Sequence, residues 1–342
     1  MYSLAFYKRE QFHMLEKDWK RLERGGDMTL YQSYDWYEML NKVYLPQDSS
    51  NYESVYITLK RNSDIVVIAP FWIILHTFKI VNKKGVYFIG RSGWSDYLNF
   101  IYAEFDAEGM IYLMEKVAER YKIHRFCLES FKENVKSYQF LRTYRGSREL
   151  GTGLSVAFRL PQTLEEYSKK LSKNTRQNIR TAHNRQKKDG KDLRVLIDDK
   201  FVDRNKCWEI REERFNQKFQ KISRLRKIKY FIMRKLTFQF HSFLPFYTFP
   251  EGHFMTSYYG EELCSFFYYF LDTLHRQIIV IAAGVNSKYS KYSPGITSLF
   301  DFINYHIDVG DIDIIDFGIG DEKYKYSLGG QNQFTNGIEI LI

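Results

Sequence analysis

The chain has 342 residues, including 27 Tyr and 28 Phe, and a formal net charge of +10. This length fits one large or two medium domains, and so many aromatic residues exclude a disordered chain. The longest apolar run, residues 65–75, is too short for a membrane-spanning helix, and the first ten residues lack the apolar core of a signal peptide. We therefore expect a globular protein of the cytoplasm.

Hydrophobic periodicity predicts helices and strands in alternation through the first half. Ser33 is a candidate N-cap for a helix that carries Trp36. The predicted elements are helices 8–24 and from 33, strands 52–59, 65–75, 86–89 and 97–102, helix 105–121, strand 125–129 and helix 136–141.

A second series of predicted helices and strands begins near residue 155. Thr163 and Glu166 form a capping-box pattern, which predicts a helix that continues to residue 188. Gly310 is suited to end a later helix. The predicted elements are strand 156–160, helix 164–188, strand 193–197, helices 199–217 and 225–242, strands 252–259, 263–271 and 276–283, helix 296–308, and strands 312–317 and 337–341.

Both halves share one order of elements: helices, a run of antiparallel strands, a helix, then another strand. This order predicts an α/β (α+β) fold built from a duplicated unit, with domains at residues 1–152 and 153–342.

A helix start directly follows the predicted strand 276–283. Ser293 is a candidate cap, Pro294 suits the first helical turn, and Gly295 lets a ligand approach the backbone. Together with Ile296 and Thr297, they form either an anion-binding helix terminus or simply a well-started helix.

A polar cluster follows the predicted strand 312–317. It holds Asp316, Asp321, Glu322, Tyr324 and Lys325. Acyl transfer needs a proton acceptor, an oxyanion stabiliser and a proton source for the departing thiolate. Asp316 or Glu322 suits the first role and Tyr324 the last; the alternative is a salt-bridged turn.

In this order, residues 292–295 and 315–325 resemble the GNAT-fold acyltransferases of the cellulose-biosynthesis (CelD-like) group, relatives of the Fem-type peptidoglycan-bridge transferases. The resemblance implies two GNAT-like domains in tandem, each with a mixed, mostly antiparallel sheet flanked by helices. It also implies acetyl-CoA or another acyl-CoA as donor, bound at residues 293–297. In the resemblance, Lys325 matches the lysine of a Phe/Tyr-Lys motif and would stabilise the oxyanion.

The positive charge is concentrated in the middle of the chain. Lys173, Arg176 and Arg180 are spaced to share one helical face, which could clamp a substrate phosphate or simply be solvated. Residues 214–250 contain no acid at all. The basic middle predicts a polyanionic partner: a nucleotide sugar, CoA phosphates, tRNA or an anionic membrane surface.

Trp36, Asp96 and Tyr97 are candidate contacts for an acceptor sugar, with packing as the alternative for Trp36. The three cysteines are widely spaced, which predicts reduced packing residues. No His/Cys pattern has the spacing of metal ligands, so we expect no metal.

The sequence thus predicts an acyl-CoA-dependent N-acyltransferase, or less favourably an O-acyltransferase. It would act by direct transfer on a sugar nucleotide, amino sugar or glycan precursor. The alternatives are a Fem-type transferase that uses aminoacyl-tRNA, and a non-catalytic module that binds polyanions.

Overall fold

Contacts divide the chain of the computed structural model into two compact units. The first comprises Met1–Leu154 with Gln333–Ile342, and the second comprises the described residues between 155 and 332. The structure describes residues 1–44, 48–77, 83–91, 95–220 and 252–342.

Twelve strands are named along the described chain. They are β1 (Tyr2–Lys8), β2 (Tyr52–Arg61), β3 (Asp64–Ile74), β4 (Gly85–Phe88), β5 (Arg125–Lys132), β6 (Ser147–Arg159), β7 (Leu193–Leu196), β8 (Gly252–Tyr259), β9 (Glu262–Asp272), β10 (Gln277–Val285), β11 (Ile314–Ile319) and β12 (Gln331–Leu341).

The helices of the described residues vary from one turn to almost five. The α-helices are α1 (Glu16–Leu22), α2 (Tyr34–Met39), α3 (Ala107–Tyr121), α4 (Lys136–Leu141), α5 (Leu164–Lys170), α6 (Lys173–Lys188), α7 (Arg204–Gln220), α8 (Pro294–Val309) and α9 (Lys323–Ser327). Short 3-10 helices span Arg9–Leu15, Leu30–Gln32 and Ser287–Tyr292, and a π-helical turn spans Leu40–Tyr44. Among these helices, none is long and apolar enough to cross a bilayer.

The first unit contains a mixed sheet in the order β1-β2-β3-β4-β5-β12. All neighbours run antiparallel except β4 and β5. Helix α3 contacts β1 and β2, and its apolar face is fully buried. Its N-terminus is capped by Asp106, which accepts a hydrogen bond from the Gly109 amide.

The second unit contains a mixed sheet in the order β6-β11-β10-β9-β8-β7. Among these six strands, β10 and β11 pair in parallel and the other neighbours pair antiparallel. Helix α8 buries Leu299, Phe302 and Ile303 in the core of this unit and ends at Gly310 in the left-handed conformation. The core therefore fixes α8 beside the strands that carry the candidate site.

Most predicted elements are confirmed, including the α/β class and the mostly antiparallel sheets. Ser33 accepts a hydrogen bond from the Trp36 amide, and Thr163 accepts one from the Glu166 amide, as their N-cap patterns predict. The predicted helix 225–242 lies outside the described residues.

Three predicted elements are wrong. Residues 97–102 form no strand, only an isolated bridge at Ile101, because side chains such as Gln32 occupy backbone groups there. The predicted helix 164–188 breaks at Leu171, where α5 ends and Ser172 caps α6. The predicted helix 8–24 is a 3-10 helix followed by α1.

The sequence grouped residues 333–342 with the second half of the chain. In the structure, these residues cluster with the first unit, because β12 pairs with β5 there. The division otherwise falls at Leu154, close to the predicted boundary at residue 152.

Candidate active site

The second unit opens a gap between two strands that begin as neighbours. Strands β10 and β11 pair in parallel only at their starts, where the last pair joins Ile279 and Asp316. Both strands continue, β10 to Val285 and β11 to Ile319. Beyond the last pair, β10 no longer bonds to β11, so this edge of β10 can accept a ligand.

A bulge in β10 lies where the gap begins. Val280 pairs with Tyr269 and Ala282 pairs with Tyr268 on β9, so Ile281 is the extra residue. A bulge takes one residue out of the ladder and re-aims its backbone groups. The bulge therefore takes Ile281 out of the ladder with β9 where the gap begins.

An open pocket of about 230 Å³ occupies the gap. Four successive residues of β10 line it, which means that the pocket meets the edge of this strand rather than one face. The opposite wall comes from β11 and the turn that follows. The lining residues are Arg211, Val280, Ile281, Ala282, Ala283, Phe317, Ile319, Glu322, Tyr324 and Lys325.

Lys325 is buried in this wall, with 2% of its surface exposed. Its ammonium donates hydrogen bonds to three successive main-chain oxygens: Gly318 at 3.2 Å, Ile319 at 3.0 Å and Gly320 at 3.1 Å. The carboxylate of Glu322 lies 3.1 Å from the same nitrogen. An ammonium has three hydrogens, so these four oxygens already satisfy it.

Gly320 makes this arrangement possible. Its φ of 110° is a conformation that side-chain-bearing residues rarely adopt, and a Cβ there would lie 2.7 Å from the Glu322 carboxylate oxygen. Glycine therefore adopts this turn without the backbone strain that a side chain would add.

Glu322 and Tyr324 are the predicted site residues that face the pocket together with Lys325. The Glu322 side chain lines the pocket and is 38% exposed, whereas its Oε2, the oxygen nearest the Lys325 ammonium, is buried. The Tyr324 ring packs edge-on against Phe317, 6.3 Å between centroids. A carboxylate and a phenol thus share one wall.

Asp316 is not in this wall. It is fully buried, and its carboxylate accepts hydrogen bonds from the Gly318 amide at 2.8 Å and from Gln277 at 3.4 Å. Side chains alternate along a strand, and the next residue, Phe317, lines the pocket. Asp316 therefore shapes the end of β11, which removes support for it as proton acceptor. Asp321 is exposed and is not among the lining residues.

The start of α8 lies further along β10. Gly295 sits so close to this strand that a Cβ would lie 2.5 Å from a methyl group of Val285. Val285 is two residues beyond Ala283, about 7 Å at the usual rise of a strand. The helix terminus and the pocket are therefore neighbours along β10.

The predicted cap of α8 is wrong in detail. Ser293 adopts a left-handed conformation (φ 52°), and its side chain makes no capping bond. Its carbonyl accepts hydrogen bonds from the amides of Ile296 and Thr297 instead. Pro294 occupies the first helical turn, as predicted. The Thr297 hydroxyl bonds back to carbonyl oxygens of the same turn.

Residues 173–326 match the family model described as an acetyltransferase (GNAT) domain. They form a GNAT acyltransferase domain. The expected GNAT acyltransferase is thereby confirmed for this segment, and the region includes the pocket, the start of α8 and the turn with Lys325.

Solved structures match the fold of the whole chain. The chain is similar to FemX, with a TM-score of 0.61 at 9% identity, covering 98% of this chain and 96% of that one. It is also similar to a tandem GNAT protein from the clavulanic acid biosynthesis pathway, with a TM-score of 0.50 at 6% identity, covering 99% and 98%. A conserved protein of unknown function from Bacteroides thetaiotaomicron VPI-5482 gives 0.52 at 10% identity, covering both chains fully. No curated protein matches the chain.

The basic face of the GNAT domain lies on α6. Lys173, Arg176 and Arg180 are all exposed. Arg176 also has a local role: its Nη1 donates hydrogen bonds to the carbonyl oxygens of Ser168 at 2.8 Å and Leu171 at 2.9 Å, at the end of α5. Arg176 therefore holds the break between the two helices. The basic stretch 214–250 lies largely outside the described residues.

Replacing Arg176 with Ala should destabilise the GNAT domain by about 1 kcal/mol, because two hydrogen bonds to carbonyl oxygens at a helix end are lost. The matched change Arg180→Ala should cost less than about 0.5 kcal/mol, as for most exposed sites. Urea unfolding measures both. Equal stabilities for the two variants would contradict the capping role of Arg176.

Two residues of the first unit that were predicted to contact an acceptor sugar are buried. Trp36 is fully buried and donates a hydrogen bond to the Ser95 hydroxyl at 2.9 Å. Tyr97 is 2% exposed and packs edge-on against Tyr31. Both are core residues, so the predicted sugar contact is wrong for them; Asp96 is partly buried.

Sequence reasoning missed Arg211, which α7 of the GNAT domain brings to the pocket. One signal was available: Cys207 is fully buried on α7, and Arg211 follows it at i+4, on the same face of the helix. A basic residue on the apolar side of a helix is unusual and favours a functional role.

All three cysteines are buried and unbridged. Burial raises the pKa of Cys264 to about 11 and also raises that of Cys207. Such thiols carry almost no thiolate near neutral pH, which makes them poor nucleophiles. Among the described residues, no cluster of three His, Cys, Asp or Glu side chains could hold a metal ion.

Proposed function

We propose that the GNAT domain transfers an acyl group directly from an acyl-CoA, such as acetyl-CoA, to an amine. The acceptor would belong to a sugar nucleotide, an amino sugar or a glycan precursor, with a hydroxyl acceptor as the less favoured variant. The observation that carries this proposal is the pocket between β10 and β11, which meets the open edge of β10 and the pair Glu322 and Tyr324.

The shape of this site suits an acyl-CoA. The pantetheine arm contains two amide groups, and an amide-bearing chain can add to an open strand edge as a further strand would. From the pocket at Ala283, β10 leads to Val285 and the start of α8 at Gly295. The amides of Ile296 and Thr297 donate to the Ser293 carbonyl and Pro294 has no N–H, so the attraction for the pyrophosphate of the donor would come mainly from the positive end of the helix dipole.

The residues of the pocket supply each step of direct transfer. Glu322 takes a proton from the attacking amine as the new C–N bond forms. A main-chain N–H at the bulge near Ile281 stabilises the oxyanion of the tetrahedral intermediate. Tyr324 then gives its proton to the thiolate as the C–S bond breaks. Because the cysteines are buried and poor nucleophiles, the scheme contains no acyl-enzyme on a thiol.

Lys325 has a different part in this scheme from the one that the resemblance implies. Four oxygens already surround its ammonium, so binding an oxyanion would require it to leave one of them. We therefore assign stabilisation of the oxyanion to a main-chain N–H at the bulge near Ile281.

Glu322 and Lys325 form an ion pair with no net charge, so Arg211 gives the lining of the pocket a net positive charge. This favours an acceptor or a donor that carries an anionic group close to the reacting atoms, as a sugar nucleotide does. The exposed Lys173 and Arg180 on α6 are candidates for more distant phosphates.

The second candidate is a Fem-type transferase that uses aminoacyl-tRNA. Its support is the similarity to the FemX fold, with a TM-score of 0.61, together with the acid-free stretch 214–250. At 9% identity, this similarity concerns the fold alone.

Ligand-induced stabilisation separates the two donors. Acetyl-CoA at 100 times its Kd should stabilise the protein by about 2.7 kcal/mol and raise its Tm, whereas uncharged and aminoacylated tRNA should not. Dephospho-CoA and acetylated pantetheine test how much the nucleotide contributes. Stabilisation by aminoacyl-tRNA without any by acetyl-CoA would select the Fem-type function and overturn ours.

A further inference from the structure

The turn that ends β11 is built like a binding site for a small cation. Three successive carbonyl oxygens, from Gly318 to Gly320, converge within 3.2 Å of one point, and a carboxylate oxygen lies 3.1 Å from it. Hard cations prefer such oxygen ligands. In this chain, the occupant is the ammonium of Lys325.

Without a cation at this point, the turn would be unfavourable. Three carbonyl dipoles and a carboxylate that point at one place repel each other, and one buried and two partly buried carbonyl oxygens would lose their donor. Lysine is almost never fully buried unless it is paired, and Lys325 is 2% exposed. The charge and the turn therefore stabilise each other.

The same turn carries the groups that our proposed function uses. Glu322 is both a partner of the ammonium and a lining residue of the pocket, and Tyr324 is the residue next to Lys325 in α9. The backbone carbonyl of Lys325 also accepts a hydrogen bond from the Gly330 amide, which links α9 to the residues that follow it.

We propose that Lys325 is a positioning residue: its ammonium fills a cation site formed by the carbonyl oxygens of residues 318–320 and Glu322, and so holds Glu322 and Tyr324 at the pocket. The effect on catalysis rests on the proposed function; the effect on the turn does not.

The experiment compares Lys325→Met with Lys323→Met. Methionine keeps much of the volume of the aliphatic stem and removes the ammonium, while Lys323 is an exposed lysine two residues earlier. For Lys325→Met, without any substrate, we expect a Tm lower by at least about 5 °C and amide exchange over residues 317–321 faster by about tenfold or more. Lys323→Met should behave as the wild type. A Lys325→Met protein too unstable to purify, beside a normal Lys323→Met, would support the same conclusion, because the ammonium is the main group removed.

A second arm uses Lys325→Ala with n-propylammonium, which matches the atoms removed. We expect the added cation to restore both slow exchange in the turn and turnover, whereas propanol and sodium chloride at the same concentration should restore neither. A Lys325→Met protein with wild-type Tm and wild-type exchange would overturn the proposal. If its turnover also fell, Lys325 would act on the reacting atoms directly. If the wild type shows no acyl transfer, the exchange arm still decides the role of Lys325, and only the proposed function fails.

Discussion

Glu322→Gln should lower kcat for acyl transfer by about 100-fold or more and leave the KM for acetyl-CoA nearly unchanged. Loss of a positioned general base commonly costs this much. The substitution keeps the shape of the side chain and an oxygen that can accept from Lys325, but it removes the group that takes the proton of the amine. The change in charge beside a buried ammonium should also lower the Tm by a few degrees, so turnover is measured well below the unfolding range.

The control is Glu165→Gln on α5. Glu165 is an exposed carboxylate that pairs with Lys169 at i+4, outside the pocket, so its loss should change kcat less than twofold. Steady-state rates with saturating amine provide the comparison. A Glu322→Gln enzyme that turns over at the wild-type rate would show that solvent or another group takes the proton.

The sequence predicts the elements around the site well, because each has a strong local signal. Helix α8 follows from the spacing of its apolar residues and from Gly310, which adopts the left-handed conformation that ends a helix. The helix start at Thr163 follows from its capping pattern. Such signals depend on residues within four positions of each other, so one sequence is enough to find them.

The pocket itself could not be predicted, because it depends on where a strand pair ends. The sequence of β10 gives no sign that pairing with β11 ends at Ile279 or that Ile281 forms a bulge. The role of Lys325 depends on the backbone of Gly318 and Gly320, whose positive φ values turn the carbonyl groups inward. The sequence placed Asp316 with Glu322 by proximity along the chain, but alternation along the strand separates them.

Strand β1 was not predicted at all, for a different reason. Its seven residues pair with β2 over their full length, but they are mostly partly buried on both faces rather than alternately buried and exposed. Period-two alternation is the signal by which strands are recognised, and here it is weak. Residues 97–102 show the reverse case: their composition is typical of a strand, but they pack in the core and form only one isolated bridge.

Tyr324→Phe should lower kcat by about 10- to 100-fold, because the departing thiolate loses its proton donor while the aromatic ring still packs against Phe317. The loss should be smaller than for Glu322→Gln, since a thiolate leaves more readily than an amine gives up its proton unaided. Stabilisation by acetyl-CoA should persist, which shows that the donor still binds.

Tyr326→Phe is the matched control for this change. Tyr326 lies in the same short helix, is 38% exposed, and donates its hydroxyl to Asn332 at 2.8 Å rather than lining the pocket. Removing that hydroxyl should leave kcat within about twofold of the wild type, as for most exposed positions. Equal losses of kcat in the two variants would mean that the helix is merely disturbed.

A wild-type rate for Tyr324→Phe would mean that water protonates the thiolate. If Tyr324→Phe alone is slow, the pocket holds both the acid and the base of the reaction within three residues of each other, on the turn that Lys325 holds in place.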